Sequence, residues 1–548
     1  MRTAAVKATC CYHQQRMIRS QKICISVVLL LSVALFAALW LPNQTGAEDL
    51  AMVFTFEVDE GVPFPYLRDM LQPQASLKHT LVNVFAYEYY FYGFPYFAYS
   101  ALVLLPLALL GQLSNMPLVM ALLRNLVSVL PMLSTIWLLI YMHTRFRDYR
   151  AVVLFLFLAL LPGVMYNNFW WHPDSLAVFF AMLTLFFLVK DDLRFGRNFY
   201  LAAVACGVST QIKLVGVYFF LAVLVYLWHG YRAGQAPRRL LLAATGFLAA
   251  MLLAFFASNP ILVYAGARST YLSTLSTQAG FMTGGFELLY ARGLPEVTRM
   301  LNDNFVGALL LAASVLAALW AALRSSQPLL YRLILAWALP LAVYVFGFSI
   351  VKFQYWLPAA LPLLSCLVVA LPANRSEAQG WYQAQRSLAL AALAIVAAAA
   401  YAASQFVPHS ANIYRAQVAR QANDPSLAFF AAASGALAPL PPSAYNVYAD
   451  VNVYIPESAG WARSARFETL TYGYVRAYSF EILFLSQTRI WDYMNEEAIG
   501  VDPERLEISR LFYADANAGE VVGYYLVYRD DFGLVFVNEA LYEEYFAP

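Results

Sequence analysis

The chain is poor in charge. Only 12% of its 548 residues are Asp, Glu, Lys or Arg, against roughly 25% in a typical soluble protein. Because 61% of the residues are hydrophobic, much of the surface must meet lipid rather than water. Cysteine is scarce too. The five thiols are Cys10, Cys11, Cys24, Cys206 and Cys366. None follows residue 366 and no pair has metal-ligand spacing, which argues against a zinc site or a disulfide framework. The net charge of +2 is too small to argue for a nucleic-acid partner. No repeat or low-complexity segment stands out beyond alanine-rich helix.

Long apolar runs fill the space that charge leaves empty. A bilayer-spanning helix needs about 20 apolar residues. The first candidate, Ile23–Leu41, follows a basic tail (residues 1–22) with Arg2, Lys7, Arg16, Arg19 and Lys22, and reads as a signal anchor with its N-terminus in the cytoplasm. Ten further runs lie near 118–142, 151–166, 176–189, 200–211, 215–228, 240–257, 306–323, 329–350, 355–371 and 387–404, giving about 11 spans. The aromatic-rich run Tyr96–Leu110 is short and reads as a juxtamembrane or re-entrant helix. With that choice, the basic loops 145–150, 190–197, 231–239, 324–332 and 374–386 all fall on the cytoplasmic side, as the positive-inside rule requires. The opposite choice would put them all outside.

The expected architecture is therefore an all-α polytopic membrane domain (residues 23–404) followed by a small α/β extracytoplasmic domain (residues 405–548). Its outer segments are a first loop over 42–117, a short loop around 167–175 and a long loop over 258–305. From Gln405 onward there are 18 acidic residues, 9 basic residues and no Lys. Alternation in Val521–Arg529 and Leu534–Asn538, around Asp530-Asp531-Phe532-Gly533, predicts a β-hairpin, and Asn446–Tyr454 alternates similarly. A cysteine-free outer domain and abundant Ala and Leu suggest a bacterial inner membrane with the C-terminus in the periplasm.

The residues able to carry chemistry gather in the outer segments. The first loop contains Glu57-Val58-Asp59-Glu60-Gly61. An acid there could take a proton from a hydroxyl nucleophile, hold a metal or sugar hydroxyl, or simply be solvated. Asp174 opens a hydrophobic helix after Trp170-Trp171-His172-Pro173, where it could cap the helix or face a site. The tryptophans suit an interface anchor or a sugar platform, and His172 a loop position or a metal. Lys213 interrupts the apolar stretch 201–227 at an outer turn, and Lys352 occupies an equivalent junction beside Tyr355. Either could hold a lipid phosphate or snorkel to the interface. Arg124, inside the second span, is costly in lipid unless paired. The span cores hold essentially no Asp or Glu, whereas an ion-coupled transporter or flippase would use intramembrane acids.

These patterns resemble the GT-C superfamily of membrane glycosyltransferases, and within it family 39, the protein O-mannosyltransferases and aminoarabinose lipid A transferases. The resemblance rests on Asp59-Glu60, on Tyr92-Gly93-Phe94-Pro95-Tyr96-Phe97 and on Leu122-Leu123-Arg124-Asn125-Leu126. It extends to Asp174, to Cys206–Lys213 and to Lys352-Phe353-Gln354-Tyr355-Trp356-Leu357-Pro358. It covers roughly residues 20–370 and departs from the family at Gln354, where an Arg is frequent. It implies inverting transfer of a sugar from a polyprenyl-phosphate donor to a lipid, glycan or protein acceptor. Asp59 would be the general base, with Glu60 beside it. Asp174, His172 and Tyr355 would line the substrate site. Lys213, Lys352 and Arg124 would face the phosphate. The resemblance leaves room for a divalent metal, Mg or Mn, on Asp59 and Asp174, and the loop 258–305, with Gly280, Gly284, Gly285 and Gly293, could close over bound lipid as a lid.

Overall fold

Within lipid a backbone N–H or C=O finds a partner only inside its own helix or a closed barrel, and the apolar runs fold as helices. The computed structural model describes residues 2–305, 307–371, 386–465 and 470–547. Five described helices are long and apolar enough to cross a membrane: Arg19–Gln44, Met116–Thr144, Pro237–Ala257, Pro328–Gly347 and Phe353–Ala370. A sixth crossing would join Leu294–Phe305 to Ala308–Arg324 through a 79° bend.

The remaining runs are helical but shorter, interrupted or flanked by charge. Residues 151–166 divide into Arg150–Ala159 and Pro162–Asn167. Asp174–Asp191 packs along Arg197–Ile212, and Phe219–Arg232 follows a 3-10 turn. By length and composition five helices, or six with the bent pair, are able to cross a membrane among the described residues; the other expected spans fall on these shorter or interrupted helices. The run 387–404 belongs to a longer helix, Arg386–Ala419, that leads toward the sheet-bearing C-terminal region. The basic loop expected at 374–386 lies outside the described residues except for Arg386. The span Met116–Thr144 is not uniform: Arg124–Val129 forms a π-helical turn, which takes up an extra residue.

The expected outer segments meet one another. Asn43 donates from Nδ2 to the Asn168 carbonyl at 3.2 Å, and Asn259 Nδ2 reaches Tyr87 OH at 3.4 Å. Thr45 Oγ1 donates to the Gln417 carbonyl at 2.8 Å. The expected cytoplasmic segments, tail and basic loops, also contact one another. Arg239 Nη2 donates to the Arg194 carbonyl at 2.8 Å, and Gln21 Nε2 to the Arg145 carbonyl at 2.9 Å.

Beyond the membrane helices lies a five-stranded sheet made of β1 (Asn446–Ala449), β2 (Ala462–Ala465), β3 (Ile482–Ser486), β4 (Tyr524–Arg529) and β5 (Gly533–Asn538). The strand order is β2-β1-β3-β5-β4. β1 runs parallel to β2 and β3, while β5 runs antiparallel to β3 and β4. The central β3, Ile-Leu-Phe-Leu-Ser, is buried along its whole length, as an unbroken apolar strand covered on both faces should be. Phe429 and Ala433 cover one face; Ile490, Phe512 and Tyr513 cover the other. The expected hairpin is β4–β5. Its turn is fixed by Asp530 Oδ1, which accepts the N–H groups of Phe532 and Gly533 at 2.8 and 3.0 Å.

Candidate active site

Two helix ends create the centre of the site. Asp174 is the first residue of Asp174–Asp191, and Lys213 caps the C-terminus of Arg197–Ile212 in an extended conformation. Because these helices pack side by side, their ends bring the two charges together. Lys213 Nζ lies 2.5 Å from Asp174 Oδ1 and 4.7 Å from the centre of the Tyr355 ring. The other carboxylate oxygen faces His172 Nδ1. His172 Nε2 is 2.9 Å from Tyr92 OH, and Trp170 stacks on the imidazole at 4.3 Å with an 11° tilt. The second tryptophan has a different role. Trp171 is fully buried, stacks on Tyr96 at 5.1 Å and donates from Nε1 to Ser100 at 2.9 Å.

Tyr92 reaches this group because the first loop docks closely on the Lys213 turn. The Gly93 N–H donates to the Ile212 carbonyl at 3.2 Å. A Cβ at position 93 would run into the Gln211 carbonyl, so only glycine permits this approach.

The neighbouring acids of the first loop point different ways. Both lie on the single turn Val58–Gly61. Glu60 is fully buried and accepts Arg124 through two bonds, Nε to Oε1 at 2.8 Å and Nη2 to Oε2 at 2.5 Å. Arg124 Nη1 also donates to the carbonyls of Asn43 and Thr45 at 2.9 and 3.2 Å, and the Trp171 N–H donates to Glu60. A cation with no access to water takes an internal anion. In this structure Arg124 is therefore committed to Glu60 and backbone carbonyls rather than presented to a phosphate, and Glu60 braces the loop rather than facing substrate.

Asp59 and Lys352 differ from these pairs: among the described residues neither forms an ion pair. The Lys352 ammonium is half-buried and lies 5.7 Å from the centre of the Tyr290 ring. Burial pulls its pKa below the ordinary lysine value, and the charge of Asp59 is the main opposing influence, with Asp174 contributing less. The Tyr92 hydroxyl is pushed well above its usual range, first by burial and then by Asp59, with Asp174 adding to it. Both carboxylates thus act on the same ammonium and the same ring. Beside them Glu57 is pushed up to about 8, by burial first and then by the charge of Glu60.

The donor set does not suit a divalent metal. Both Asp174 oxygens are engaged by Lys213 and His172, which leaves Asp59 without a second carboxylate. No group of three His, Cys, Asp or Glu side chains suited to a metal occurs among the described residues. Sequence reasoning did not assign roles to Tyr92, Glu57 or Tyr290. The glycine after Tyr92 was the one available signal, since close backbone approach demands it. Glu57 and Tyr290 carry no signal beyond their residue type.

The architecture is of the GT-C fold, in an integral membrane protein. The sequence itself matches no protein-family model and no curated protein. In structure, the chain is similar over 93% of its length to ArnT from Cupriavidus metallidurans bound to undecaprenyl phosphate, covering 98% of that chain at TM-score 0.50 and 15% identity. The apo state of the same protein is matched over 94% of this chain and 99% of that one, at TM-score 0.51 and 15% identity. The archaeal oligosaccharyltransferase AglB from Archaeoglobus fulgidus, in complex with an inhibitory peptide and a dolichol-phosphate, is matched over 94% of this chain and 74% of that one, at TM-score 0.50 and 14% identity. At such identities the likeness is one of fold.

Proposed function

We propose that this protein is an inverting glycosyltransferase that moves a sugar from a polyprenyl-phosphate donor to an acceptor hydroxyl at the outer face of a bacterial inner membrane. The observation that carries this reading is Lys352, a half-buried ammonium with no ion pair among the described residues, held close enough to Asp59 for the carboxylate to influence it. Leaving a cation without an anion away from water is costly. A lipid phosphate arriving along the membrane surface would relieve that cost. Undecaprenyl phosphate and dolichol-phosphate, bound in the two similar structures, belong to this ligand class.

In this reaction the acceptor oxygen attacks the anomeric carbon on the face opposite the phosphate. The carbon–oxygen bond to the phosphate breaks, and its electron pair leaves with the polyprenyl phosphate. Asp59 takes the acceptor's proton. Lys352 offsets the charge that grows on the leaving oxygen, in a site where a preorganised cation acts strongly. Lys213 and His172 hold Asp174, and with Tyr92, Trp170 and Tyr355 they form a rigid polar and aromatic wall for the sugar. In this reading the C-terminal α/β domain would help to select the acceptor.

The test is transfer from a labelled polyprenyl-phosphate sugar in membranes containing the protein. Asp59→Asn should abolish transfer while undecaprenyl phosphate binding persists. Undiminished transfer would overturn the role of Asp59. Movement of labelled lipid across the bilayer without transfer would identify a flippase instead.

A further inference from the structure

We infer that the outer α/β domain is a working part of the candidate active site, and that Glu287 is the positioning residue through which it acts. This inference rests on the polyprenyl-phosphate reading of Lys352. The segment 282–290 of the long outer loop is held at both ends. At the membrane end the Ile350 N–H donates to the Met282 carbonyl at 2.8 Å, two residues before Lys352. At the other end the segment adds a short antiparallel bridge to the outer domain, Leu288 opposite Gly500. There the Leu289 N–H donates to the Ile499 carbonyl, and the Val501 N–H to the Glu287 carbonyl, each at 2.8 Å.

The Glu287 carboxylate secures that bridge. It accepts Arg489 Nη2 at 2.9 Å and the Tyr493 hydroxyl. Arg489 also faces Asp450 Oδ1 at 3.5 Å. Asp450 is a fully buried acid just beyond β1, whose other oxygen accepts the Ser486 N–H at 2.7 Å at the end of β3. The anchor is thus wired into the two central parallel strands. Arg489 and Glu287 are each 21% exposed in this contact, so the pair is better shielded than a surface ion pair. Three residues further on, the Tyr290 ring supports the Lys352 ammonium, a contact in which the ring face attracts the cation. Tyr290 is 40% exposed and Leu294 81%, so this stretch has little apolar burial of its own to hold it. Segments of that kind open locally unless they are tied down. The outer domain therefore sets the position of Tyr290, and Tyr290 sets the position of the ammonium offered to the phosphate.

The experiment compares the full-length protein with Glu287→Ala and Glu287→Gln in detergent. It measures hydrogen–deuterium exchange and affinity for undecaprenyl phosphate alone. Glu287→Ala should raise exchange across 280–293, leave exchange of β3 unchanged, and weaken binding roughly tenfold, the scale of coupling between linked sites. Glu287→Gln, which keeps an acceptor for Tyr493, should shift both readouts less. Faster loop exchange with unchanged affinity would make the segment a mere tether and overturn the inference. Unchanged exchange would overturn it as well. Failure of the unsubstituted protein to bind undecaprenyl phosphate would refute the functional reading, and the inference with it. Failure of the inference alone would show only in the variants.

Discussion

Glu60 and Arg124, 64 positions apart in sequence, meet through two parallel hydrogen bonds where neither side chain has any solvent exposure. Breaking a buried ion pair by removing one partner typically costs about 3–5 kcal/mol, because the survivor stays charged and unpaired. Arg124→Ala should therefore lower the melting temperature in detergent sharply. Arg124→Lys should not rescue it, since an ammonium cannot form the two parallel bonds. Replacing both partners together, Glu60→Leu with Arg124→Met, should recover most of the loss. A single Arg124→Ala variant that melts like the parent would show that the pair contributes nothing.

Gly93 is a second point of fracture. Forcing a methyl group into its contact with the Gln211 carbonyl should cost roughly 1–3 kcal/mol, as overpacking usually does. The seam it holds carries Tyr92 to His172, so Gly93→Ala should reduce transfer more than its melting temperature suggests. Parallel assays of unfolding and transfer would check this. Equal and small effects in both would mean that the loop can back away without consequence.

Glu57 should give stability a pH dependence opposite to that of an ordinary salt-bridged acid. Its folded pKa is about 8 against an ordinary value of 4.5. Between those values the folded protein keeps a proton that the unfolded chain has released. Stability therefore falls as pH rises through this window and levels off above it. Glu57→Gln should flatten the profile and raise the melting temperature most near pH 8. Melting curves of both proteins at pH 5, 6.5 and 8.5 would decide, and profiles that stay parallel would rule out this role.

Lys352 should be the cation that matters for lipid binding. Losing one charged hydrogen bond costs about 1.5–3 kcal/mol, so Lys352→Met should weaken undecaprenyl phosphate binding roughly 10- to 100-fold. Lys352→Arg should keep most of it. Because burial pulls the ammonium below its ordinary value, binding should fade at a lower pH than an exposed lysine would require. Titration of the lipid against both variants measures this, and unchanged affinity in Lys352→Met would remove the main support for the reading.

Much of the scaffold was legible from pattern alone. The apolar runs became helices, Phe94–Leu109 formed where aromatic residues and Pro95 announced it, and the alternating segments around Asp530 became β4 and β5. Lys213 stands at a turn, as its interruption of an apolar stretch implied. The partners were not legible. That Glu60 faces inward while Asp59 does not depends on how one short turn is rotated by packing, and neighbouring letters in a sequence carry no such angle. The boundaries of the shorter spans were not legible either, because apolarity marks burial between helices as readily as contact with lipid. The anchoring of Tyr290 was also hidden, since it joins two irregular segments with no periodicity to reveal it.

The π turn at Arg124–Val129 makes the second span tolerant of a change in length at this one place. Such a turn takes up one extra residue while the coil on either side stays nearly in phase, so deleting one apolar residue there would let it close into ordinary α geometry with both flanks facing as before. The same deletion within Leu130–Thr144 would swing everything on one side of it by about 100° relative to the other, although no charged or polar group had been removed.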